Sequence, residues 1–122
     1  MSDNAVHLVG NCTRAPELRF TSGGLASASF GLAINNRKKD AAGEWVDGDP
    51  QFFDIVTFGT LAENVAESVD KGHRVGVNGR LSYSSWESDD GGKRSKVEVI
   101  ADSVGHDLRW QTSTATRNEK RQ

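Results

Sequence analysis

The feature that most constrains this chain is the segment 52–63, which reads as a β-strand that breaks at Gly59 into a capped α-helix. Along the strand Phe52, Asp54, Val56 and Phe58 share one face, because successive side chains alternate. Phe53, Ile55 and Thr57 share the other, and that face has apolar residues of its own to bury. Two phenylalanines are thus left on a face that carries a charge, an arrangement suited to stacking something flat. The competing reading is a strand buried on both faces, and this segment alone does not choose between the two.

The rest of the chain is short strands of period two, interrupted by Gly- and Asp-rich turns. A first strand covers Ala5–Cys12, Pro16 breaks the chain, and extended structure resumes over 17–21 before a Ser-Gly-Gly turn. Residues 26–35 alternate cleanly, with Ala26, Ala28, Phe30, Leu32 and Ile34 inward and small residues outward. A polar, charged hairpin loop is expected over 36–50, and a strand over Gln51–Phe58. The only good helix runs over 61–71, with Thr60 as N-cap, Glu63 completing a capping box, and Leu61, Val65 and Val69 as its apolar stripe. Gly72 stops it. Val75, Val77, Gly79 and Leu81 line the next strand. A second long loop spans 84–94 and holds Trp86, and a last strand spans 95–104. Three strands, a helix and two strands make an all-β chain with one helix: the OB-fold, a five-stranded Greek-key barrel whose middle strands and two long loops bind oligonucleotides or oligosaccharides. The domain is expected over 1–110, followed by a disordered polar tail over 111–122.

A chain of 122 residues is one domain by size. It has no apolar run that would span a bilayer and no signal peptide, so a cytoplasmic, nucleoid-associated protein is expected. The single Cys12 fits a reducing compartment and excludes an internal disulfide, though it stands near the end of the first strand where it could cross-link to a symmetry mate. The net charge of −2 argues against a generic polyanion binder. Residues 1–110 carry 12 basic against 16 acidic side chains, whereas 111–122 are net +2. A nucleic acid would therefore be held by local cations and by stacking.

Metal and phosphate chemistry find little support. His7, His73 and His106 are far apart and no cysteine pair exists, so no metal site is expected. No phosphate-binding Gly-Lys-Ser/Thr loop occurs. A nuclease would need inward carboxylates near an arginine; Asp54 with Arg80 is the nearest candidate, and Asp89 and Asp90 read as solvated turn residues. No catalytic role and no cofactor are expected. The positive signal is aromatic and cationic. Phe52 and Phe58 lie on the middle strand and Trp86 in the second loop; Arg37, Lys38 and Lys39 open the first loop, and Lys93, Arg94 and Lys96 close the second. Bases stack on aromatic faces and cations follow the backbone. Against this, Trp86 could simply pack its hairpin, and Lys38 and Lys39 could belong to an ordinary solvated loop. Trp45 could join the binding loop, and Trp110 could pin the chain end.

Several motifs in order carry a resemblance: Val9-Gly10-Asn11, Ala15-Pro16-Glu17-Leu18-Arg19-Phe20, Phe58-Gly59-Thr60-Leu61-Ala62-Glu63, and Lys71-Gly72 leading to Gly79-Arg80-Leu81. Over residues 6–108 the chain resembles the bacterial single-stranded DNA-binding protein family. The resemblance implies an OB-fold that assembles as a homotetramer of dimers and wraps single-stranded DNA without base preference, in replication, recombination or repair. The first strand, over 5–10, would then offer a free edge to its copy. By position Phe52, Phe58 and Trp86 look like base-stacking residues. Arg19, Lys71, Arg80 and the basic loop residues look like nucleic-acid contacts. The chain departs from the family pattern in three ways. Lys38 stands near where an aromatic is common. Asp54, Ser82 and Ser84 replace frequent cations. No acidic C-terminal tip of the kind that recruits repair enzymes is seen. The rival expectation is an OB subunit of primosome type, acting mainly through protein–protein contacts.

Overall fold

The described residues build nine elements in the order β1 (Ala5–Cys12), β2 (Glu17–Phe20), β3 (Ala26–Ile34), β4 (Arg37–Lys39), β5 (Trp45–Asp47), β6 (Gln51–Phe58), α1 (Gly59–Ser68), β7 (Arg74–Glu87) and β8 (Lys93–His106), the longer strands on alternating apolar residues. The structure, a computed structural model, describes residues 3–119. Five strands close into a ring. β1 pairs with β7, β7 with β8, β8 with β6 in parallel, β6 with β3, and β3 returns to β1 through Asn11↔Ala33 and Cys12↔Leu32. This is the expected barrel, with β2 added beside β3 and a separate β4–β5 ribbon in the first loop.

The ring encloses the inward residues of every strand. Phe30, Leu32, Ile55, Val75, Val77 and Val99 are essentially without solvent contact. Val65 of α1 and Val69 just past its end join them, so the helix packs against the barrel core, while Ala62 packs with Ala26 and Ala28 in a smaller cluster. Thr57 is the one buried polar side chain among the described residues, and its hydroxyl donates to the Ala28 carbonyl at 2.8 Å, which removes the cost of burying it.

Three sequence expectations are corrected here. Thr60 does not cap the helix: α1 begins at Gly59, Phe58 takes the cap position in extended conformation, and no side chain caps it. Gly59 has φ +68°, a left-handed turn that glycine alone enters freely, and the helix starts two residues sooner than a Thr60 cap would allow. The helix also ends at Ser68 rather than Lys71. Secondly, the expected loop over 84–94 is mostly hairpin. The β7–β8 ladder continues through Ser84↔Lys96 and Trp86↔Arg94 to Glu87↔Lys93, leaving only a short turn. Thirdly, Cys12 is buried and its thiol donates to the Arg14 carbonyl, so it is not presented to a symmetry mate; burial also pushes its pKa up.

Residues 112–118 form no helix or strand but lie along α1. Asn118 and Asn64 exchange amide hydrogen bonds of 2.8 and 3.1 Å, and Gln111 donates to the carbonyls of Arg74 and Asp107. Lys120 and Arg121, which contribute to the expected basic tail, lie outside the described residues. Among the described residues no helix is long and apolar enough to cross a membrane.

Candidate nucleic-acid interface

The outer surface of β3 and β6 follows directly from register. Opposite Phe52, Asp54, Val56 and Phe58 on β6 stand Ala33, Gly31, Ser29 and Ser27 on β3. These small neighbours cannot cover the rings, so Phe52 is left 69% exposed and Phe58 41%. On the inner side Ile55 and Thr57 are fully buried and Phe53 packs against the core. The strand is therefore buried on one face only, which decides between the two readings that its sequence allows.

The face continues on both sides. Arg19 on β2 stands opposite Ser27, and Val56 lies beside Ile100, which in turn faces Arg80. Arg80 thus shares a row with Val56, two strands away. Along the β7–β8 arm the same alternation carries Ser82, Ser84 and Trp86 to the side of Arg80. Trp86 is 49% exposed and directly opposite Arg94. Arg37, Lys38 and Lys39 lie on the β4–β5 ribbon, all exposed, with Lys39 Nζ 5.3 Å from the centre of the Trp45 ring. Lys71 stands apart, in the turn after α1, where the Gly72 N–H donates to the Cys12 carbonyl.

Four of the nine expected cations have carboxylate neighbours. Arg19 binds Glu17, Arg37 lies 3.9 Å from Asp47, Arg94 is 3.2 Å from Asp90, and Lys96 is 3.2 Å from Glu98. All lie at the surface, with Glu98 partly covered, and each is weak. Asp90 is held below the ordinary carboxylate range, first by the Ser88 hydroxyl, then by the Gly92 N–H, with Arg94 adding to both. A sequence signal for these pairs exists: residues two apart on a strand share a face, as Glu17 and Arg19 or Lys96 and Glu98 do.

Arg14 escaped the sequence reading altogether. Its Nη2 lies 3.7 Å from Asp54 Oδ1, so Asp54 has Arg14 for its ion-pair partner, and Arg80, the partner weighed from sequence, forms no ion pair with it. Arg14 follows the end of β1, where alternation no longer predicts a side. Tyr83 and Val97 are a second unread feature, an exposed cross-strand pair on the opposite face of the arm. Among the described residues no group of three or more His, Cys, Asp or Glu side chains is placed to hold a metal ion.

A family model described as the single-strand binding protein family matches residues 3–107. A single-stranded DNA-binding protein of Mycolicibacterium smegmatis is 44% identical over 94% of this chain and 70% of its own length. One from Paenarthrobacter aurescens is 40% identical over 97% of this chain and 70% of its own. Among solved structures, a small single-stranded DNA-binding protein from Streptomyces coelicolor superposes with a TM-score of 0.73 at 32% identity, covering 88% of this chain and 97% of that one.

Proposed function

This chain belongs to the single-strand binding protein family, and from that premise we propose that it binds and protects single-stranded DNA without base preference, as a non-catalytic cytoplasmic protein of replication, recombination or repair. The observation that carries the reading is the pair of phenylalanines, Phe52 and Phe58, left exposed on the outer face of a closed barrel. Aromatic rings on such a face stack any base, since every base has a π-face, and this gives affinity without sequence readout. Trp86 on the β7–β8 arm and the β4–β5 ribbon extend the same surface. Arg80, Lys38, Lys39 and Lys93 supply charge along it, and Arg19, Arg37, Arg94 and Lys96 can exchange their weak carboxylate partners for phosphate.

The rival reading, an assembly subunit with weak nucleic-acid affinity, draws on those same ion pairs and on the excess of acidic side chains over residues 1–110. Titration of intrinsic tryptophan fluorescence with poly(dT) and with duplex DNA separates the two. Saturable quenching by poly(dT) that is much weaker with duplex supports the proposed function. No response to either polymer at low salt, with a Trp86→Phe variant used to assign the signal, favours the assembly subunit.

A further inference from the structure

Arg14 brings a cation to the carboxylate that lies between the two phenylalanines of the outer face, and local hydrogen bonds hold the chain beneath it. Past the end of β1 the Cys12 thiol donates to the Arg14 carbonyl at 2.9 Å, and the Thr13 N–H donates to the Gly31 carbonyl at 2.9 Å. The Arg14 guanidinium is thereby laid over Gly31. A Cβ at that position would come within 2.7 Å of Arg14 Nη1 and closer still to the Thr13 hydroxyl, so both side chains use the space that a glycine leaves open at residue 31. Gly31 is the register partner of Asp54, and Asp54 lies on β6 between Phe52 and Phe58. A carboxylate at the centre of a stacking face has the wrong sign for a nucleic-acid backbone. It also has the charge, and acceptor oxygens like those, that a phosphate would offer the same guanidinium.

We propose that Asp54 is an internal phosphate mimic: it occupies Arg14 in the free protein and yields it to a DNA phosphate, so that exchange of partners at Arg14 sets how tightly the face holds the strand. The inference rests on the reading that this face binds single-stranded DNA. Both side chains are about half exposed, at 51% and 46%, which places the pair in the weak, solvent-screened class that an incoming anion can displace. In the complex Asp54 is then bare and repels the phosphate beside it. Binding is weakened twice, by the lost pair and by that repulsion. The arrangement favours a coat that releases DNA readily.

A double-mutant cycle on the full chain, with binding of poly(dT) read by fluorescence, tests this. Asp54→Asn removes the mimic, and Arg14→Gln removes the contested cation. Both positions are exposed, so both variants should fold, which circular dichroism checks. If Arg14 changes partner on binding, Asp54→Asn tightens binding in the wild-type background by roughly two- to fivefold more than in the Arg14→Gln background, the span of an exposed ion pair. Within the Asp54→Asn background, Arg14→Gln should also lower the salt slope by about 0.7, the loss of one phosphate contact on a single strand. Equal gains in the two backgrounds, or a smaller gain with Arg14 present, overturn the mimic and leave Asp54 as a generic repulsive charge. Failure of the wild type itself to bind poly(dT) is a separate result, which overturns the proposed function.

Discussion

Trp86 and Arg94 stand directly opposite each other across the β7–β8 hairpin, on the side of that ladder that also carries Arg80. The indole is thus presented by a two-stranded arm rather than by an irregular loop, and its cationic neighbour is tethered in turn to Asp90. A rigid mount of this kind reduces the side-chain freedom that would be lost when a base stacks on the ring.

That mount leads to a prediction about stacking. Trp86→Ala and Phe52→Ala should each weaken binding of single-stranded DNA by on the order of 1–3 kcal/mol, with little change in fold. Fluorescence or anisotropy titrations at fixed salt measure this. Unchanged affinity in both variants, with normal circular dichroism, would remove the proposed surface.

Assembly follows from β1. One edge of that strand is fully bonded to β7, while the other meets β3 only at Asn11 and Cys12. Over residues 5–10 the second edge is available to a copy of itself, and an unpaired edge of that length is otherwise an aggregation liability. A homotetramer of two-fold dimers is expected at micromolar concentration. Light scattering that returns the mass of a monomer would refute it.

The core makes a stability prediction. Phe30 is fully buried at the centre of the main cluster and faces Ile55 across the β3–β6 pair. Phe30→Ala should cost roughly 3–5 kcal/mol, because the closed ring cannot collapse into the space left. Denaturant unfolding followed by circular dichroism reads the loss, and a change under about 1 kcal/mol would contradict the packing described here.

Acid should loosen two turns. Asp90 is held below the ordinary carboxylate range foremost by Ser88, and Asp107 by the Arg109 N–H and then the Arg74 guanidinium. For a depressed native pKa the stabilisation is complete above the unfolded-state value, near about 4, and disappears as pH falls through the lower native value. Wild type should therefore lose more stability than the Asp90→Asn, Asp107→Asn double variant below about pH 4, as measured by unfolding across a pH series. Parallel acid limbs for the two proteins would show that neither carboxylate is linked to folding.

Much of this was legible in the residues. The first strand and the Phe52 strand have the expected bounds, since alternation with a buried face specifies strand and side together. The helix starts ahead of the expected Thr60 cap because the left-handed Gly59 turns the chain directly out of β6, with Phe58 at the cap position and no side chain capping it. The long arm was misread as loop because its Ser- and Asp-rich composition imitates one. Only cross-strand pairing with residues 93–96 keeps it extended.

By itself the sequence determined the order of the main strands and the helix, the inward set of Phe30, Ile55, Val75 and Val77, and the shared face of Phe52 and Phe58, though not that this face stays open. These depend on period and on neighbours along the chain. Tertiary structure alone decided which charges meet. Arg14 and Asp54 are forty residues apart, and their contact exists because β1 closes the ring onto β3 beside β6 and because Gly31 leaves room for a guanidinium there. Pairing of that kind is a property of how the barrel closes, and no local pattern of residues encodes it.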